Sequence, residues 1–160
     1  MRGKGHAMEH SAPESLKREH AELHAGLVAA SRSGGRTAAA AQAVARALQP
    51  HFVREESHVL PPLGALPGLV RGSTPPDSER IIALADGLKK DLNYLLHEHR
   101  GIVIELHKLG EAATEEKRSE YVDLAERLLL HAKTEEEVLY PAAILVGEYL
   151  KLRSGSGKEG

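Results

Sequence analysis

Apolar side chains recur along this chain at steps of three and four, the period of one helix face, and the runs are broken at Gly34-Gly35, Pro61-Pro62 and Pro141. The first run, Leu16, His20, Leu23 and Leu27, predicts a helix from about Pro13 to Ala30, with the proline in its opening turn. The second opens on TAAAAQAVARAL and spans about Arg36 to Leu60, with a kink at Pro50 just before His51. A stretch containing PPLGALPG and RGSTPPD runs to about Asp77; it is long for a compact fold and reads as a lid or a crossover.

The third helix, about Ser78 to Leu109, carries the longest stripe: Ile81, Leu84 or Ala85, Leu88, Leu92, Leu95, His99, Ile102, Leu106 and Leu109. The fourth is expected to start near Thr114 as N-cap, with Glu115 and Glu116 in its first turn, and to continue through Tyr121, Leu124, Leu128, His131, Glu135 and Val138. Pro141 marks a kink or break, and AAILVGEYLKL is a candidate for further helix.

Four long amphipathic helices without a strand pattern predict an all-α fold, a helix bundle over residues 14–150. Residues 1–13 and 151–160 are polar and rich in small side chains and are expected to be flexible tails, which makes His6 and His10 poor site candidates.

Composition narrows the function. Twenty-one basic and 23 acidic residues are mixed along the 160, for a net charge of −2, so no extended basic surface invites nucleic acid. No apolar run approaches the roughly 20 residues that span a bilayer, and Met1 to Glu14 lacks a signal-peptide core, so the expectation is a cytoplasmic protein without a membrane partner. The absence of cysteine leaves only nitrogen and oxygen donors for any metal. Ten histidines against one Phe and no Trp is an unusual balance for a core-forming domain.

The histidines fall in a pattern. His20, His51, His99 and His131 each stand in register on the apolar stripe of a different helix, and Glu55 and Glu135 do the same. In HFVRE and HAKTE, His and Glu are four residues apart, one turn up the same face. A buried carboxylate needs a cation or a proton, and no Lys or Arg lies on these stripes. One histidine on an apolar face is more often a satisfied core residue; four in register, two with Glu one turn on, favour a metal. Imidazole with carboxylate suits iron, manganese or zinc, and two carboxylates from facing helices can bridge two ions. His24, one turn after His20 at the edge of its stripe, is a candidate fifth nitrogen. His58 reads as a lining or surface residue, Glu56 and Glu136 as surface or supporting residues with the role of ligand as the alternative, and His97 and His107 as solvated; Tyr94 and Tyr140 fit supporting hydrogen-bond donors and helix-end packing equally well and are assigned no role.

The chain also repeats itself. His51, Glu55, Glu56 and Pro61 recur 80 residues later as His131, Glu135, Glu136 and Pro141, and Leu16, His20, Leu23 and Leu27 recur 79 residues later as Leu95, His99, Ile102 and Leu106. Two helix pairs related by a pseudo-two-fold axis are expected.

Glu19-His20 and Glu98-His99, with HFVREESHVLP and HAKTEEEVLYP, resemble the signature of hemerythrin-like HHE cation-binding domains from Leu16 to Pro141. The resemblance implies an antiparallel, up-and-down four-helix bundle with a non-haem di-iron centre, bridged by Glu55, Glu135 and an oxo or hydroxo species. The oxygen carriers proper have a second His four residues along the third helix, where this chain has Val103, and an Asp five residues after the fourth-helix His, where it has Glu136. The expectation is therefore a protein that binds or senses a small oxidant (dioxygen, peroxide or nitric oxide). A catalase- or peroxidase-like or nitric-oxide-handling enzyme is the alternative. A ferritin-like centre would need in-register Glu-x-x-His pairs, which are lacking, and an interaction bundle with incidental histidines ranks below both. The sequence sets no oligomeric state.

Overall fold

The computed structural model describes residues 9–156, and among them the chain is all-helical, without a strand. Helix α1 is Glu14–Ser31, and α2 is Gly35–Arg54, extended by a π-helical turn at Glu55–Val59. A 3-10 turn, Pro61–Ala65, and the short α3, Leu66–Leu69, lead to α4, Ser78–Glu115. Helix α5, Ser119–Thr134, runs into a second π-helical turn, Glu135–Leu139, and then α6, Tyr140–Ser156. None of these helices is long and apolar enough to cross a membrane.

Several local expectations change for identifiable reasons. Thr114 is not an N-cap: it lies inside α4, its hydroxyl donating to the Gly110 carbonyl at 2.8 Å, and α5 begins only after a turn in which Lys117 takes φ 58°. The acidic residues that follow Thr114 serve α2 instead. The Glu116 carboxylate accepts from the Arg36 and Thr37 amides at 2.6 and 3.1 Å and from the Thr37 hydroxyl at 2.6 Å, which satisfies the exposed donors of that helix end. Gly35 makes room for it: at φ +69°, a Cβ there would stand 2.4 Å from Glu116 Oε1. Helix α2 runs through Pro50 to Arg54.

The proline-rich stretch is packed, with Pro61, Pro62, Leu63, Ala65 and Leu69 buried. The polar N-terminal segment joins it: Ala12 is buried beside Leu60, Leu63 and Tyr140, and the His10 amide and ring Nδ1 lie 2.6 Å from the Asp77 carboxylate oxygens. The rest of the expected tails, 1–8 with His6 and 157–160, lies outside the described residues; residues 151–156 continue α6.

Helix α1 packs on α2 and α5, and α4 packs on α2, α5 and α6. Three apolar clusters result among the described residues; Ala65, Leu69, Ile81, Val146 and Leu150 form one at the far end, and the other two meet mid-bundle. Of these two, one joins Leu23, Leu27, Val44, Leu48, Ile102, Leu106, Leu124 and Leu128 from α1, α2, α4 and α5. The other joins Val59, Leu60, Leu63, Leu88, Leu95, Tyr140 and Ala143. Each buried leucine contributes about 1.5–3 kcal/mol relative to exposure. Along every stripe, the histidine falls where one cluster gives way to the other: His20 between Leu16 and Leu23, His99 between Leu95 and Ile102.

Candidate metal centre

Six polar side chains occupy that junction. His20, His51, Glu55, His99, His131 and Glu135 are all at most 5% exposed, although each is a residue type that rarely enters a core unpaired. They come from α1, α2 and its π-turn, α4, and α5 and its π-turn.

The histidines form two pairs. His51 Nε2 and His99 Nε2 are 2.9 Å apart, and His20 Nε2 and His131 Nε2 are 3.1 Å apart. The carboxylates lie between the pairs. Glu135 places Oε1 2.8 Å from His131 Nε2 and 3.4 Å from His20 Nε2, and Oε2 3.3 Å from His99 Nε2. Glu55 places Oε1 3.1 Å from His51 Nε2 and Oε2 3.7 Å from His20 Nε2.

All four rings turn the other nitrogen outward, to a carboxylate. His20 Nδ1 meets Glu56 and His99 Nδ1 meets Glu136, both at 2.9 Å; His51 Nδ1 meets Glu98 at 3.3 Å and His131 Nδ1 meets Glu19 at 3.2 Å. Such partners can hold a proton on Nδ1 and aim Nε2 inward, the arrangement that orients histidine toward a metal. The 79- and 80-residue repeat is visible here as geometry: the second Glu of each EE pair and the Glu of each EH pair hold the rings in matched fashion. Glu56 and Glu136 are thus supports for the rings. Arg54 adds a third link on one side, its guanidinium 2.9 Å from Glu98.

Ordinary helical spacing from His51 and His131 brings both carboxylates inward, and a π-turn opens at each of them. The Leu60 amide donates to the Glu55 carbonyl, and the Tyr140 amide to the Glu135 carbonyl, each a five-residue step. Such turns insert one residue into the helical phase. Consequently Val138, expected on the apolar stripe, is exposed, while Tyr140 swings inside and is fully buried. Its hydroxyl donates a short hydrogen bond to Glu55 Oε1 and lies 3.1 Å from His99 Nε2 and 3.5 Å from His51 Nε2. Sequence reasoning gave Tyr140 no role. The available signal was a break in the repeat, where Tyr140 stands for Leu60.

A second break is Phe52, which stands for Ala132 and stacks on His20 with centroids 3.9 Å apart and planes 5° from parallel. His24 does not join the cluster. Leu23 takes the inward position after His20, and His24, half-buried, lines a shallow outer groove with His20, Phe52 and Glu56. His58, His97 and His107 are exposed, as expected.

Charge is finely divided in this space. Burial pushes Glu55 toward its protonated form, and the nearby Glu135 carboxylate adds to that effect. Burial also opposes ionisation of Glu135, but hydrogen bonds from His131, His20 and His99 outweigh it and hold its pKa well below the usual range. Burial works against charge on His131, yet its bond to Glu135 prevails and raises its pKa to about 9. His99 is raised in the same way. Burial and the two glutamates push the Tyr140 phenol far up, so in the metal-free chain it is a hydrogen-bond donor.

Two groups of these side chains could hold a metal ion: His51, Glu55, His99 and Glu135, and His20, His131 and Glu135, with one donor atom from each residue all within 4.8 Å of one another. The fit is supported by an orphaned atom. Among the described residues Glu55 Oε2 finds no hydrogen-bond partner although it is buried, a costly state for a carboxylate oxygen that a cation between the histidine pairs would relieve. Comparison with protein-family models, with curated proteins and with solved structures found no match.

Proposed function

We propose that the chain is a cytoplasmic, hemerythrin-like four-helix bundle that holds two iron ions and binds or senses a small oxidant: dioxygen, peroxide or nitric oxide. The observation that carries this reading is Glu135, whose two oxygens face different histidine pairs, with Glu55 disposed the same way. Two His pairs with two shared carboxylates make a binuclear donor set, of nitrogen and oxygen character suited to iron, with manganese or zinc as the competitors. The packing of α1 on α2 and α5, and of α4 on α2 and α5, supports the bundle arrangement.

Bound iron would supply the redox capacity that coordination of such an oxidant requires. The chain's own residues do the rest. His20, His51, His99 and His131 supply neutral nitrogen donors, fixed by the four outer glutamates, and Glu55 and Glu135 supply the shared negative charge. Leu23, Ile102 and Phe52 wall the centre with apolar surface and restrict water. The groove beside His20 and Phe52 gives a small molecule an approach from solvent.

Turnover is the second reading, a catalase- or peroxidase-like or nitric-oxide-handling activity; the phenol of Tyr140 inside the donor cluster favours it, since it can donate a proton there. Metal analysis and absorption spectra of iron-loaded protein, with and without air, test the proposal. About two irons per chain and oxo-bridged ferric bands are expected; absence of bound metal overturns it. Stopped-flow mixing with dioxygen, peroxide and nitric oxide separates binding from turnover.

A further inference from the structure

We infer that Tyr140 is itself a metal ligand, and that it makes the two metal positions chemically different. The inference rests on the di-metal reading above. Two donors on one ion at about 2.0–2.2 Å stand about 3 to 3.5 Å apart. The Tyr140 hydroxyl lies at that separation from both ring nitrogens of one pair, 3.1 Å from His99 Nε2 and 3.5 Å from His51 Nε2, and it touches Glu55 Oε1. It is therefore placed as a donor atom of the His51/His99 position, alongside Glu55.

Among the described residues, nothing equivalent exists at the other pair. Residue 60 is leucine, and the ring packed on His20 is Phe52, which has no donor atom. The π-turn before Tyr140 is the device that brings the phenol in, and the same turn before Leu60 brings in only a methyl-bearing side chain. One position thus offers two imidazoles, shared carboxylates and a phenol oxygen, and the other two imidazoles and the shared carboxylates alone. When the ion binds, the phenol O–H bond breaks, its proton leaves to solvent, and an oxygen–metal bond forms. The hard, anionic oxygen favours the ferric state of that position.

Resonance Raman and visible absorption of the full chain, loaded with ferrous iron and oxidised by air, test this. The expected result is tyrosinate ring modes enhanced in a visible charge-transfer band, both lost in Tyr140→Phe, with two irons retained by the variant. Two irons without tyrosinate modes in the parent chain overturn the assignment while leaving the di-metal reading intact; modes that survive in Tyr140→Phe overturn it as well. Absence of metal overturns the di-metal reading and this inference together. Should Tyr140→Phe fail to fold, Tyr94→Phe, Tyr121→Phe and Tyr149→Phe decide by elimination among the four tyrosines: retention of the modes in all three supports Tyr140, and loss in any one overturns it.

Discussion

His51 and His99 face one another through Nε2 atoms 2.9 Å apart, while their Nδ1 atoms are turned to Glu98 and Glu136. Two imidazoles so oriented would oppose lone pair to lone pair unless a cation stands between them. In the metal-free chain a proton can take that place, and the bonds to Glu135 favour it by raising the pKa of His99 and, in the matching pair, of His131 to about 9. A metal ion replaces it. Loading the chain near pH 7 is therefore expected to release protons, read as a dependence of the calorimetric binding enthalpy on the ionisation enthalpy of the buffer.

The same protons set the pH response of metal-free protein. A histidine whose folded pKa is raised stabilises fully below its unfolded value, and that contribution is lost as pH rises through the folded one. For His131 the window runs from about 6.5 to about 9, and the loss is at most about 3 kcal/mol. Glu135, depressed, acts oppositely, stabilising above its ordinary pKa of about 4.5 and failing below it. Urea unfolding in chelator is expected to show lower stability at pH 9 than at pH 6. Saturating metal should flatten that decline, because the ligated histidine is already neutral.

The two carboxylates are not equivalent in consequence. Glu135 belongs to both candidate groups and Glu55 to one. Glu135→Gln is expected to abolish tight binding at both positions, whereas Glu55→Gln should retain one ion at His20, His131 and Glu135. Metal-to-protein ratios after gel filtration distinguish the two variants.

Ring-holding glutamates should matter without touching the metal. Glu136 is exposed yet meets His99 Nδ1 at 2.9 Å. Glu136→Ala is expected to weaken metal binding about 10- to 100-fold at the His51/His99 position with the helical content unchanged. His24→Ala, by contrast, should keep both ions at parental affinity. Competition with a chromophoric chelator measures both.

Leu106, 1% exposed, fills the apolar cluster on one side of the centre. Leu106→Ala is expected to cost about 2–5 kcal/mol of stability by urea denaturation.

Much of this organisation was legible in one dimension. Helix faces repeat every three or four residues, so the stripes placed four histidines and two glutamates inward before any packing was known. Spacing failed where the helical phase itself changed. The π-turns at Glu55–Val59 and Glu135–Leu139 shift the register by one residue, exposing Val138 and burying Tyr140, which a uniform 3.6-residue period cannot show. Thr114 and Glu116 misled for a related reason: a cap signal is local, but Glu116 caps α2, some 80 residues away, and only the folded chain brings them together.

By itself, then, the sequence determined the all-helical class, the inward set of six side chains and their doubling, because these follow from period and repeat. Tertiary structure alone decided which histidine pairs with which and which glutamate steadies each ring. It also decided that a phenol stands at one pair and a phenyl ring at the other. Those choices depend on how separate helices meet and on where a π-turn breaks the phase, and neither is written in the spacing along a single strand of chain.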